Sequence, residues 1–141
     1  VAAIAPIFSE RTEVKLDGER GGKRQSHWRG VLYSACEQCG RTRIPQLQEP
    51  ATLAQYAAQE RATHRLFLDP DAQGRLSQLP IAAGDHVALA IGPEGGFSER
   101  DIAALMAAGF TGIGLGPRVL RTETAGLATI AALQALFGDW R

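Results

Sequence analysis

Apolar and polar positions recur along the chain in two periods, and the switches between them mark out strands and helices. Val1–Ile7 is an apolar run and reads as a buried strand, while Thr12–Leu16 alternates like a short edge strand. Asp17–Arg24 is polar, is broken by Gly21-Gly22, and reads as a loop. From Lys23 to Cys39, Trp28, Val31, Leu32, Ala35, Cys36 and Cys39 fall at helical spacing, so both cysteines are expected in a buried helix stripe. Gly40 stands where that helix ends. Arg41–Pro50 reads as irregular, with Ile44 and Glu49 held extended by the prolines after them. Thr52 is placed to cap a helix reaching Glu60. His64–Asp69 reads as a strand closed by Asp69-Pro70-Asp71, Leu76–Pro80 as a loop, and His86–Ile91 as a central strand buried on both faces. Ser98, with Asp101 three residues on, predicts a capping box for a helix to Ala108, ended by Gly109. Phe110–Leu115 is a short strand. A last helix starts at Thr122 or Glu123 and runs to Phe137, with Leu127, Ile130, Leu133 and Phe137 on its inner face.

Strands alternating with helices predict an α/β fold, a mostly parallel sheet covered by helices on both faces. The 141 residues suit a single domain with a sizeable core. The chain starts at Val1, inside an apolar run, and the expectation is a piece of something longer. Hydrophobic residues make up 45% and charged ones 21%, so the composition is that of an ordinary globular protein. The 15 basic residues balance the 15 acidic ones, which leaves any nucleic-acid contact to a local patch. No stretch reaches the roughly 18 apolar residues of a membrane span. Cys36-x-x-Cys39 lacks nearby partners for a metal, and His27, His64 and His86 are scattered, so no metal site is expected. Two cysteines without a secretory signal suggest a reducing, cytoplasmic setting.

Two glycine-rich segments change the picture. Each joins an apolar run to a helix, and only one helix and one strand separate them. The first is Ile91-Gly92-Pro93-Glu94-Gly95-Gly96-Phe97 and the second runs from Leu115-Gly116 to Ala125. Loops at strand ends in open α/β sheets gather at the carboxyl edge, where ligands bind. The first segment lacks the Gly-Lys-Ser/Thr ending of a phosphate loop and is not G-x-G-x-x-G, so neither a polyphosphate nor a dinucleotide is indicated. Glu94 among the glycines repels polyphosphate and suits hydroxyls or positive charge, as in the adenosyl, ammonium and sulfonium groups of S-adenosylmethionine. In the second segment Leu120 offers an apolar surface for an adenine, Arg118 and Arg121 are cations near Glu123, and Thr122 and Thr124 carry hydroxyls. An equally good structural reading makes Arg121 and Glu123 a local ion pair and the threonines helix caps.

Gly92-Pro93-Glu94-Gly95-Gly96-Phe97-Ser98, Leu115-Gly116 and Leu120-Arg121-Thr122-Glu123-Thr124-Ala125 resemble the signature of the RsmE-type methyltransferases of the SPOUT superfamily. Ser9-Glu10-Arg11-Thr12 is similar to that family's Glu-Arg-Ser stretch. Glu37-Gln38-Cys39-Gly40-Arg41 with Pro45 is similar to its Glu-Gln-Ser-Gly-Arg…Pro stretch, with Cys39 in place of Ser. The resemblance spans Val1 to Phe137. It implies a deep trefoil knot in the carboxyl-terminal half, S-adenosylmethionine as cofactor, N3 of one uridine of 16S ribosomal RNA in the small ribosomal subunit as target, and a homodimer. The chain would be a SPOUT catalytic domain over 1–141, truncated at its amino end and lacking the family's RNA-binding domain. A SPOUT enzyme acting on a tRNA base or a ribose 2′-hydroxyl is the alternative.

On that resemblance the cofactor would be held by Ile91, Gly92, Pro93, Glu94, Gly95, Gly96, Leu115, Gly116, Leu120, Arg121, Thr122 and Thr124. Uracil N3 carries a proton at neutral pH, so the reaction needs a base or cations that stabilise the anion. Glu123 and Glu94 are the candidate bases. Arg121 leads the candidate anion stabilisers, followed by Arg118 and Arg11. Arg11, Arg41 and Arg118 are the expected RNA contacts, whereas Arg20, Lys23 and Arg24 read better as a solvated face. The three histidines read as surface or packing residues.

Overall fold

A computed structural model of the protein describes residues 1–12 and 18–140, leaving the side chains of 18–20 aside. The chain divides into two compact units: Val1–Phe8 with Thr12–Ala51, and Ser9–Arg11 with Thr52–Arg141.

The first unit is built on β1 (Ala3–Ile4), β2 (Ile7–Phe8), α1 (Gly18–Cys39), β3 (Gln46–Leu47) and β4 (Ala51–Thr52). β1 pairs with β3 in parallel, and β2 pairs with β4. The expected single buried strand over Val1–Ile7 is therefore two short ones, and Val1–Ile4 is exposed. Pro6 has no amide to continue a ladder, so the chain breaks there and its carbonyl accepts from Ala51 N instead, at 3.1 Å. Arg41–Pro50, expected to be irregular, contains β3, and β4 follows directly after it. Gly21-Gly22 does not break the chain: α1 begins at Gly18 and runs through both glycines, which cost only about 1 kcal/mol each in a long helix. The edge strand expected over Thr12–Leu16 lies, after Thr12, outside the described residues. The helix stripe is narrower than expected. Cys36 is buried and Trp28 and Leu32 half-buried, but Val31, Ala35 and Cys39 are exposed. From Trp28 on, inward positions recur every four residues, so Val31, Ala35 and Cys39 fall outside the stripe.

The second unit contains α2 (Leu53–Gln59), β5 (His64–Leu68), a single 3₁₀ turn (Leu76–Gln78), β6 (Val87–Ala90), α3 (Glu99–Ala107), β7 (Thr111–Ile113) and α4 (Thr122–Phe137). Both expected caps form. Thr52 accepts from Gln55 N and Ser98 from Asp101 N, and each third residue returns the bond to the cap's own amide. The three strands are parallel in the order β6-β5-β7. Among the described residues β6 has a neighbour on one side only, so the central strand is β5 rather than His86–Ile91. The β5 sequence Leu66-Phe67 is buried on both sides of the sheet.

Alternation along β5 sends Leu66 and Leu68 to one face and Arg65 and Phe67 to the other. Leu66, Ile113 and Leu76 form a core that Ala132 and Leu133 of α4 cover. On the opposite face Phe67 meets Phe97 edge-on at 6.3 Å, and Arg65 Nη1 donates to Ala108 O at the end of α3, at 2.9 Å. Burying Leu66 and Phe67 contributes about 1.5–3 kcal/mol each. The inner face of α4 corrects the expectation. It consists of Ala125, Gly126 and Thr129, with Ile130, Leu133 and Phe137 half-buried, while Leu127 is 73% exposed. Ile91 Cδ1 lies so close to Gly126 that a Cβ added there would stand 2.8 Å from it.

At the amino end of the strands His64 Nε2 lies 2.9 Å from Asp85 Oδ2, which also accepts from Ala82 N at 2.9 Å. The Ala82 amide first, and His64 second, hold the Asp85 carboxyl below its ordinary value. A carboxyl lowered by folding adds stability that is complete above its unfolded pKa of about 4 and is lost as pH falls through the folded value. Asp85→Asn is therefore expected to lower the urea midpoint at neutral pH. The gap to the parent should close below about pH 4, which a series of urea titrations across that range checks.

Candidate functional site

Parallel strands all end at one edge, and the three loops that leave β5, β6 and β7 line a single cavity of about 840 Å³ there. Asp69, Pro70 and Asp71 come from the first loop. Ile91 to Phe97 form the second. Leu115, Gly116 and Arg118 to Glu123 form the third. Arg11 joins them from far upstream, its Nη1 donating to Gly95 O.

Local chemistry explains how the loops turn. Gly96 (φ +68°) and Gly116 (φ +102°) adopt the left-handed backbone that side chains resist, and each sits at a bend in its loop. The Gly96 amide closes a turn onto Pro93 O at 2.8 Å. The second loop then enters α3 through the Ser98 cap. The third enters α4 at Arg121, which makes no side-chain capping bond, and leaves that helix's first amides at the cavity rim without a side-chain acceptor. The first loop is tightened by Asp69 Oδ1, which accepts from Asp71 N at 3.0 Å.

The cavity has a half-buried apolar wall, Ile91, Pro93, Leu115 and Leu120, and a charged rim that is exposed except at the half-buried Asp69. Asp69, Asp71, Glu94 and Glu123 supply carboxylates, and Arg11, Arg118 and Arg121 supply guanidiniums. A mixed rim over an apolar wall suits a ligand that has a flat apolar part and both hydroxyl and charged groups. Its size falls within the roughly 300–1,000 Å³ of small-molecule sites.

Of the residues singled out in sequence, Ile91 to Gly96, Leu115, Gly116, Leu120 to Glu123, Arg11 and Arg118 all line this cavity. Two do not. Thr124 is exposed and outside the lining, one residue round the helix from Glu123. Arg41 is exposed and belongs to the first unit. Neither structural reading of the second loop is realised. Among the described residues no ion pair joins Arg121 to Glu123, and the cap position of α4 is Arg121 rather than a threonine. Asp69, Pro70 and Asp71 escaped selection. Their signal was available, since they end the strand that proves central. Of the histidines, His64 is occupied by Asp85 at the other end of β5.

The model of the RNA methyltransferase domain matches residues 1–134. The chain belongs to the RNA methyltransferase domain family. Among curated relatives of this RNA methyltransferase domain, the ribosomal RNA small subunit methyltransferase E of Buchnera aphidicola (from Schizaphis graminum) is 40% identical over 99% of this chain and 56% of its own length. The protein of the same name from Mycobacterium bovis is 36% identical over 92% of this chain and 52% of its own. The chain thus spans about half the length of the curated relatives it matches. A Legionella pneumophila protein solved with bound cofactor SAM superposes with a TM-score of 0.94 at 43% identity, covering 99% of this chain and 57% of that one. The ribosomal RNA small subunit methyltransferase E of Neisseria gonorrhoeae, solved with S-adenosyl methionine, gives 0.91 at 34% identity, covering 100% and 57%.

The closeness of α4 to the cavity wall yields a test. A Cβ on Gly126 would stand 2.8 Å from Ile91 Cδ1, the free end of a side chain that lines the cavity. Gly126→Ala is expected to fold, because the helix gains up to about 1 kcal/mol of propensity and the isoleucine can rotate. Its thermal midpoint should match or exceed the parent's. The Ile91 δ1 methyl should shift strongly in a ¹³C-methyl spectrum as it swings into the cavity, and an unmoved methyl would refute the contact.

Proposed function

We propose that this chain is the catalytic domain of a cytoplasmic enzyme that transfers a methyl group from S-adenosylmethionine to N3 of a uridine in 16S ribosomal RNA of the small subunit. The observation that carries the reading is the convergence of the 91–97 and 115–123 loops, with Arg11, on one cavity at the carboxyl ends of three parallel strands. The names of the relatives and the ligand bound in the two solved neighbours support it.

The residues present fit such a cofactor. The apolar wall of Ile91, Leu115 and Leu120 accepts an adenine, Glu94 favours hydroxyls and positive charge, and the open first turn of α4 can take a carboxylate. When bound, S-adenosylmethionine supplies an electrophilic methyl carbon on a sulfonium. The chain must hold uracil N3 in line with that carbon, which is chiefly a matter of position. Glu123 or Glu94 takes the N3 proton, and Arg121, aided by Arg118 and Arg11, stabilises the negative charge left on the ring. N3 then forms the bond to carbon while the carbon–sulfur pair returns to sulfur. The target base must leave its stack to arrive there. Arg41 and Arg118, both exposed, fit contacts to RNA phosphates. We also read the carboxyl-terminal half as the SPOUT trefoil knot and the enzyme as a homodimer. Leu127, Leu136 and Trp140, exposed near one end of the chain, fit an apolar contact between copies.

Calorimetry should show S-adenosylmethionine binding to the protein, and Arg121→Ala should lower kcat by about 100-fold. Retained activity in Arg121→Ala combined with Glu94→Ala would sink the site assignment. Nucleoside mass mapping of ribosomal RNA from a deletion strain should show N3-methyluridine lost. An unchanged level, with loss of a modified tRNA base or ribose instead, would move the target elsewhere.

A further inference from the structure

Among the described residues, the catalytic scheme leaves the buried carboxylate of Asp101 unused. Asp101 is 7% exposed, yet it lies in the first turn of α3, behind the cavity rather than on its wall. Burying a carboxylate is costly unless its oxygens are hydrogen-bonded. Part of that need is met by the helix cap, with Ser98 N donating to Oδ2 at 3.1 Å. The remainder is met from outside the helix. The amide of Glu10, 91 residues upstream, donates to both oxygens, at 3.3 and 3.2 Å.

A helix cap has no need of the second contact, and its consequence falls on the next residue. With Glu10 N fixed on α3, Arg11 reaches across the 91–97 loop, its guanidinium bonds Gly95 O and it lines the cavity. Its stem passes 3.6 Å from where a Cβ on Gly95 would stand. The three residues Ser9–Arg11 accordingly belong to the second compact unit while the chain on either side belongs to the first.

We infer that Asp101 is a positioning residue: through the Glu10 amide it places Arg11 at the cavity wall, where Arg11 faces the methyl-accepting base. The placement follows from the geometry alone, and the last clause rests on the methyltransferase reading.

Hydrogen exchange on the ligand-free protein tests the placement. Amides of residues 9–11 should exchange at least about tenfold faster in Asp101→Ala than in the parent. Ser98→Ala is the control. It removes the hydroxyl that accepts from Asp101 N but leaves the carboxylate on Glu10, so it should loosen the start of α3 and leave 9–11 protected. Equal loosening of 9–11 in both variants makes Asp101 a cap and overturns the inference. If Asp101→Ala does not fold, Asp101→Asn, which keeps one acceptor oxygen, should show the same pattern more weakly.

Kinetics test the consequence. Asp101→Ala should lower kcat for methyl transfer by about 10- to 100-fold with little change in KM for S-adenosylmethionine. The loss should vanish in an Arg11→Ala background, because the two substitutions remove the same thing. Multiplying losses would overturn the coupling. A parent protein without methyl transfer would sink the methyltransferase reading, while the exchange data would still decide whether Asp101 holds Arg11.

Discussion

The common direction of β6, β5 and β7 is the constraint on which the rest depends. Parallel strands put their carboxyl ends at one edge, so the segments after Leu68, Ala90 and Ile113 have to leave the sheet side by side. The register is fixed by burial. Leu66 stands beside Leu89, and Phe67 beside Ala90 and Gly112. A slip of one residue would exchange the Leu66 face for the Phe67 face, turning each side chain onto the wrong helix. Gly112 records how tight this is, since a Cβ there would meet the Phe67 ring at 3.0 Å. The cavity is therefore a consequence of the core, assembled from three strand ends that cannot move independently.

The strands do not supply everything at that edge. Arg11 arrives by a long-range route through hydrogen bonds rather than through the sheet. Its anchor, Asp101, is itself oriented by the start of α3, and α3 is seated by Leu105, which is fully buried. Local chemistry and tertiary packing are thus joined at one carboxylate. The same carboxylate that completes the cap at the start of α3 also fastens a distant segment of chain.

Local interactions were legible in the sequence and distant ones were not. The Thr52 and Ser98 boxes form because cap and partner lie three residues apart, and Gly40 and Gly109 take the left-handed backbone expected after a helix. The two glycine segments could be placed near each other because one helix and one strand separate them. By contrast, nothing in Arg65-Leu66-Phe67-Leu68 says that it has a neighbour on each side, whereas β6, with its longer apolar run, has one among the described residues. Strand order is set by crossovers, and composition does not record it. The paired glycines of α1 misled for a related reason: a breaker acts through a cost of about 1 kcal/mol per residue, which a helix of many turns can absorb. The link between Glu10 and Asp101 had no signal in either segment.

The last helix shows why the size of side chains is a poor guide to which way they face. Apolar periodicity favoured an inner face that included Leu127, because large side chains bury the most area. That reasoning assumes a gap between helix and sheet wide enough to hold them. Here the gap is narrow where α4 passes the end of β6. Gly126 meets Ile91, Ala125 lines the cavity, and Thr129, fully buried, satisfies its hydroxyl on Ala125 O at 2.7 Å. Close approach demands small residues, and a hydroxyl is tolerated because the helix's own carbonyl accepts it. The large residues are displaced to where space remains, inward at Leu133 towards the wider core and outward at Leu127 and Leu136. Proximity to the cavity thus sets the small inner face, and the exposed leucines are its complement, so the helix wall that shapes the site also produces the outward apolar surface.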